Sequence, residues 1–377
     1  MKIHRYKDLV TEAFKDIKKY QTGEKKIIKT NRPYIDDTFP LVNGGVVLVA
    51  ANTGIGKSTE LAVILNNVMD VNLNEDADKY VSLNISLEMR VLSLILRGLS
   101  TKISKSKMDI ITKEFTDEEK ILANEYFIAL QDERHFFSQD RTTPKKFYEA
   151  CHQFLTDHKD KETVFIGYDH LALTGADGTE ARNTTIEHLM EMINLLKLEF
   201  ENVVFILLSQ TNSDNIKRAK DKDVMSQPQV SDIFYSQFAT QISDYVVVIT
   251  SPHKMGIKEY SRLNPERYPH LEKYFLEPDS KGRVSLETYG VNYYHLLKAR
   301  EASNGFIDIY AEDLQIPELD KRRKEFKEDR KPTVVTPKFD SVVFNQTQTE
   351  SPEKPLPTVS ALEAFGSSSF SENNEPF

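Results

Sequence analysis

The stretch AANTGIGKST, Ala50 to Thr59, carries the most specific chemistry in the chain. Read from Ala51, it fits a phosphate-binding loop of the form Ala/Gly, four variable residues, Gly, Lys, Ser/Thr. A chain of phosphates is wrapped by backbone N–H groups, so the loop must bend where side chains would clash. Gly54 and Gly56 permit that bend. Lys57 is placed to reach the β- and γ-phosphates, and Ser58 to offer its hydroxyl to Mg²⁺. Ala51, Asn52, Thr53, Gly54, Ile55, Gly56, Lys57, Ser58 and Thr59 are therefore the expected nucleotide contacts. Ala51 stands where the strict pattern has Gly, a small departure.

Hydrolysis of a bound triphosphate needs more: a carboxylate for Mg²⁺, a base for water, a sensor for the γ-phosphate and often an arginine from outside. Three apolar runs each end in a suitable group. KYVSLNISLEM offers Glu88 to polarise water, TVFIGYDHLAL offers Asp169 as the partner of Ser58 on Mg²⁺, and NVVFILLSQTN offers Gln210 as sensor. Any one of them alone is a polar residue capping a strand. In this order behind a phosphate loop, they point together to nucleotide hydrolysis.

The elements that must position these groups follow from periodicity. Val46 to Ala50 reads as a buried strand, and TELAVILNNV, Thr59 to Val68, as a helix with an apolar face. Strand, loop and helix in that order aim the helix N-terminus at the phosphates. From Leu41 to about Leu314, strand-like runs alternate with helical segments, the pattern of a mostly parallel α/β sheet. Such sheets hold ligands at the carboxyl ends of their strands.

Four segments are expected. Residues 1–22 form an amphipathic helix with Tyr6, Leu9, Val10, Ala13, Phe14 and Ile17 on one stripe, and 23–40 form a polar linker with Gly and Pro breaks. Residues 41–318 form the ATPase domain. Residues 319–377 hold a charged stretch, DKRRKEFKEDRK, then a tail rich in Pro, Ser, Thr, Asn and Glu with the composition of disorder. The 377 residues contain one cysteine, Cys151, so no intrachain disulfide can form and a reducing compartment is expected. No apolar run approaches the ~20 residues that cross a bilayer, and the charged N-terminus is no secretory signal, so no membrane partner is expected. A net charge of −9 argues against coating DNA with the whole surface, though not against a local basic track.

The order of the motifs resembles the DnaB-type hexameric replicative DNA helicases, including their bacteriophage forms. AANTGIGKST, ISLEM, VFIGYDHLAL, FILLSQTN, VSDIFYSQFATQISDYVVVI and HLLKAREASNGFIDIY carry the resemblance, over about Leu41 to Tyr310. It implies a RecA-like P-loop core, ATP and Mg²⁺ as cofactors, and a ring of six copies around single-stranded DNA. It further implies duplex unwinding at a replication fork, 5′ to 3′, in the cytoplasm of a phage-infected bacterial cell. Glu88 takes the place of the catalytic glutamate, Asp169 of the Walker-B aspartate and Gln210 of the coupling glutamine. Lys298 and Arg300, in KAR, match the family's K-x-R pair, which reaches into a neighbour's nucleotide site with Arg300 as the arginine finger.

The resemblance also gives the first helix a role, docking on the adjacent subunit; packing on its own domain is the alternative, and the linker length permits both. For DNA, the implied contacts are Lys217, Arg218 and Lys220 after Gln210, with Tyr235 and Gln237 in SDIFYSQFATQ. TGADGTEARNTT, 174–185, is a second candidate loop. Without the resemblance, KRAK reads as a solvated charge run. The family's N-terminal helical domain and a fused primase have no counterpart here, Ala172 stands where many relatives have Gln, and the segment from Pro252 to Gly290 is longer than expected. The final SENNEPF looks like the docking tip of a single-stranded-DNA-binding protein, suited to primase, a helicase loader or another replisome protein. A RecA-like recombination or filament ATPase without unwinding activity is the alternative function.

Overall fold

The computed structural model describes residues 5–38, 41–220, 227–234, 236–257, 260–300 and 308–313. Tyr235 and the chain beyond 313, with its expected docking tip, lie outside the described residues. Ten strands are present among those described: β1 (Val46–Ala51), β2 (Tyr80–Ser86), β3 (His135–Ser138), β4 (Thr163–Asp169), β5 (Val203–Gln210), β6 (Tyr245–Thr250), β7 (Tyr260–Leu263), β8 (Val284–Leu286), β9 (Val291–Ala299) and β10 (Asp308–Asp313). The helices are α1 (Tyr6–Thr22), α2 (Pro33–Asp36), α3 (Lys57–Val68), α4 (Val91–Lys102), α5 (Lys107–Thr112), α6 (Asp117–Leu130), α7 (Pro144–Asp157), α8 (Arg182–Glu199), α9 (Asp214–Lys220) and α10 (Ser236–Ile242).

Eight strands form one sheet in the order β10-β9-β6-β1-β5-β4-β2-β3, while β7 and β8 pair separately. The run from β6 to β3 is parallel, and β9 and β10 extend it antiparallel. This mostly parallel sheet with helices on both faces is the expected RecA-like architecture. Strand β1 shows why it closes so tightly. Its residues are buried on both faces, and alternate ones serve different cores. Val47, Val49 and Ala51 pack with Leu61, Ile64 and Leu65 of α3; Val46, Leu48 and Ala50 pack with Phe147, Cys151, Ile186 and Leu189 of α7 and α8.

Register brings the motif ends together. Ala51 pairs with Gln210 across β1 and β5, and Ser86 pairs with Asp169 across β2 and β4. All four stand at the carboxyl edge of the parallel strands. In β4, Gly167 lies under α3: a Cβ there would meet Leu61 Cδ1 at 2.8 Å and Leu65 Cδ1 at 3.0 Å. The missing side chain lets the helix that starts at Lys57 settle directly on the sheet.

Two segments differ from the simple linker-plus-domain reading. Helix α1 ends at Gly23, whose φ of 72° gives a left-handed cap, close to the expected boundary. Yet Ile28, Tyr34 and Ile35, placed by sequence in the linker, are buried in the core, and Ile28 bridges to Leu41. The long stretch after Pro252 builds an apolar annex, with Tyr260, Leu271, Tyr274 and Leu286 joining the α3 face of the core.

Candidate active site

The phosphate loop turns as its glycines predict. Gly54 has φ 81° and Gly56 φ 123° with open space where a Cβ would stand, so backbone conformation rather than crowding calls for glycine. Helix α3 begins at Lys57 directly behind it. Lys57 is buried and folded back on the loop, Nζ donating to the carbonyls of Ala51 at 3.0 Å and Asn52 at 3.4 Å. Burial lowers its pKa, against the opposing charges of Glu88 and Asp169. A phosphate chain would restore the lost solvation.

Asp169 is also buried, and burial raises its pKa, partly offset by a hydrogen bond from Ser58. Its Oδ1 has no hydrogen-bond partner. A buried carboxylate oxygen left unpaired beside a serine hydroxyl suits a hard divalent cation, which takes oxygen ligands. The residues thus fit a Mg²⁺-nucleotide.

Glu88 follows β2 and is half-exposed, its Oε2 3.7 Å from His170 Nε2. Gln210 Nε2 lies 3.3 Å from the same His170 nitrogen. His170 is buried, its Nδ1 lacks a partner, and burial lowers its pKa. The geometry therefore puts one imidazole between the expected base and the expected sensor. His170 sits inside the quoted VFIGYDHLAL, but a histidine after a strand carries no sequence sign of which strand end it will bridge. Lys254 was also missed; its Nζ donates to Gly54 O at 3.2 Å from 200 positions away.

Lys298 and Arg300 lie elsewhere. Lys298 Nζ donates to Thr240 O at 2.6 Å and Gln241 O at 3.2 Å, carbonyls at the end of α10. Arg300 donates to Gln241 O at 2.7 Å and pairs with Asp244 at 2.7 Å. Asp244 also accepts from Lys197 at 3.0 Å and from the Val46 amide at 2.9 Å. Since β9 runs antiparallel to β6 and Ala299 pairs with Tyr245, the K-x-R pair stands at the amino edge of the parallel strands. Arg300 lines a cavity of about 240 Å³ with Gly44 and Gly45, before β1, whereas the phosphate loop follows β1. Roughly 20 Å of extended chain separates them at ~3.3 Å per residue.

The expected DNA contacts are mixed. Lys217 is exposed and pairs with Asp214 at 3.0 Å, an ion pair that a phosphate can replace. Arg218 pairs with Asp232, which is buried, so this cation is committed to holding the turn at 230–232. Lys220 ends α9, and Gln237 is exposed on α10.

The fold is RecA-like, and the groups gathered at the carboxyl edge of its sheet fit a phosphate chain with Mg²⁺. The family model for the DnaB-like helicase C-terminal domain matches residues 28–275, and the chain belongs to that family. It is thus a helicase of the DnaB type, which implies use of a nucleotide and Mg²⁺. Among solved structures, it is similar to the ATPase domain of G40P, with a TM-score of 0.60 and 16% identity over 82% of this chain and 95% of that one. It is also similar to a DnaB-like replicative helicase described with its interactions with primase: TM-score 0.56, 16% identity, 82% of this chain and 64% of that one. A search of curated proteins finds no match. No helix among the described residues is long and apolar enough to cross a membrane.

Proposed function

We propose that this chain is an ATP-driven replicative DNA helicase that works as a homohexameric ring on single-stranded DNA, moving 5′ to 3′, with ATP hydrolysed at subunit interfaces. The observation that carries this reading is the placement of Arg300 at the opposite edge of the sheet from the phosphate loop. A finger so placed cannot reach its own subunit's γ-phosphate, but a neighbour in a ring can receive it.

Within one subunit, Lys57 exchanges its contacts with the loop carbonyls for the β- and γ-phosphates. Ser58 and Asp169 would hold Mg²⁺, which would supply positive charge against the phosphates. Glu88 accepts the proton of the attacking water, and Gln210 donates to the γ-phosphate. His170 keeps those two groups in one frame. Lys298 and Arg300 of the adjacent subunit neutralise charge developing in the transition state.

Single-stranded DNA would run past α9 and α10, where Lys217, Lys220, Tyr235 and Gln237 serve as contacts and Arg218 braces the loop. Both segments follow β5, so a change at Gln210 is transmitted to them over a short path. Helix α1 leaves Tyr6, Phe14 and Ile17 exposed, and α4 to α6 expose Leu92, Met108, Ile111 and Ile128. The two apolar surfaces suit exchange of α1 between neighbouring copies. Primase and a loader remain the partners of choice for the tail.

The test is unwinding of a forked duplex with a 5′ single-stranded tail, with ATP and Mg²⁺, by the wild type and by Arg300→Ala. Unwinding by the first alone supports the reading. Hydrolysis stimulated by DNA without strand separation, by an open filament in electron micrographs, would favour a recombination ATPase instead.

A further inference from the structure

Glu60 lies in the first turn of α3, two residues after Ser58, on the face turned into the core. It is 4% exposed. An acid in the first turn suits the helix dipole, but here it is buried, so it needs partners. Arg32 Nε stands 2.7 Å from Oε1 as an ion pair without hydrogen-bond alignment, and Tyr34 Oη donates to the same oxygen at 2.6 Å. Tyr294 Oη lies 3.2 Å from Oε2 and donates to Glu312 Oε2 at 2.7 Å. Arg32 reaches Glu312 as well, at 3.0 Å. The rings of Tyr34 and Tyr294 stack with centroids 4.8 Å apart.

Four segments distant in sequence meet in this cluster: the chain after α1, the first turn of α3, β9 and β10. Stability does not explain it well. A buried ion pair gives little over apolar residues of equal volume, since desolvation offsets the attraction. What such a cluster does fix is geometry, because a shift of any member leaves a charge or hydroxyl unpaired in the core. Two of the segments it joins are functionally opposed. Helix α3 starts with Lys57 and Ser58, and β9 ends in Lys298 and Arg300.

We infer that Glu60, Arg32 and Tyr294 are positioning residues that register the phosphate-binding turn against the finger strand. Occupancy of a subunit's own site is thereby passed to the cations it offers its neighbour. The inference rests on the ring reading above. A displacement of the first turn of α3 acts on β9 through the Tyr294 hydroxyl, and β9 runs on to Ala299 with one bulge, at Leu297, where its register against β6 shifts. The same cluster, through Arg32, informs the segment that follows α1.

The experiment uses the full chain and mixes active subunits with increasing fractions of Lys57→Ala subunits at constant total protein, measuring total turnover against the active fraction. In the wild-type background, turnover should fall more steeply than the active fraction. Tyr294→Phe keeps the ring stack and removes the bridging hydroxyl; Glu60→Gln removes the charge. Each should keep the assembled mass and hold nucleotide affinity within about twofold, while the mixing curve becomes linear. Arg32→Met with Glu60→Leu, which fills the same space with apolar groups, keeps the test open if a single variant fails to fold. Mixing curves that superimpose on the wild type at equal mass and affinity would overturn the inference. A linear curve for the wild type would overturn it too, since nothing would then be passed on. Failure of the ring reading is separate: it shows as a monomeric mass, or as full turnover by Arg300→Ala.

Discussion

The two edges of the central sheet are built on opposite terms. At the carboxyl edge, groups are held in place with partners missing: Asp169 Oδ1 and His170 Nδ1 are buried and unpaired, and Lys57 rests on loop carbonyls. At the amino edge, the cations are already satisfied within the chain. Arg300 and Lys197 share Asp244, and Lys298 caps the carbonyl end of α10. The first edge offers buried, unpaired groups that suit a charged ligand. For Arg300 to act as the proposed finger, it must trade Asp244 for a phosphate. Under the ring reading proposed above, binding chemistry falls to one subunit and control of turnover to its neighbour.

The most damaging change to this arrangement should be Lys57→Ala at the carboxyl edge. Without that cation the buried Asp169 and nearby Glu88 face the phosphates alone, and ATP turnover should vanish in a phosphate-release assay. Arg300→Ala at the amino edge should act differently. Nucleotide affinity and thermal stability should stay near wild type while turnover falls about 10³-fold or more, the scale of a finger's contribution. Normal turnover would remove Arg300 from the reaction.

His170 tests whether the carboxyl edge works as a unit. His170→Phe keeps a buried ring but cannot hold Gln210 or face Glu88. Loss of a group that orients reacting residues typically costs about 10–100-fold in activity. The loss should appear in kcat, with nucleotide affinity nearly constant; His170→Asn should recover part of it. A variant with unchanged kcat would mean that Glu88 and Gln210 are held by other means.

How much of this was visible beforehand depends on how local the signal is. The strand, loop and helix around Lys57 are contiguous, and their periodicity shows both the elements and the chemistry. Glu88, Asp169 and Gln210 each end an apolar run, so strand ends could be read even before the sheet order was known. Contacts that close over long separations left no such trace. The segment holding Tyr34 and Ile35 reads as linker because Gly, Pro and charge surround it, while its partners are Glu60 and Tyr294. Glu60 looks like the polar side of an amphipathic helix until Arg32 arrives to pair it. Arg218 reads as a DNA contact until Asp232 is seen beneath it, and Arg300 gives no hint of Asp244.

Gly167 offers the finest probe, because it acts on the carboxyl edge from below. TVFIGYD sets it among the valine, phenylalanine and isoleucine of a buried strand without naming what packs on it, yet Leu61 and Leu65 occupy the space its side chain would take. Gly167→Ala must therefore tilt those leucines or lift α3 by a few tenths of an ångström. Overpacking of this kind costs about 1–3 kcal/mol, and the melting temperature should drop by several degrees. Because α3 starts at Lys57 and Ser58, nucleotide affinity should weaken a few-fold as well. Adding Leu61→Ala removes the closest contact, leaving Leu65 to give by a few tenths of an ångström, but opens a cavity, so affinity should largely return and stability should not. If Gly167→Ala changes neither quantity, α3 is not seated by that contact, and the preformed geometry of the carboxyl edge must be held from the loop alone.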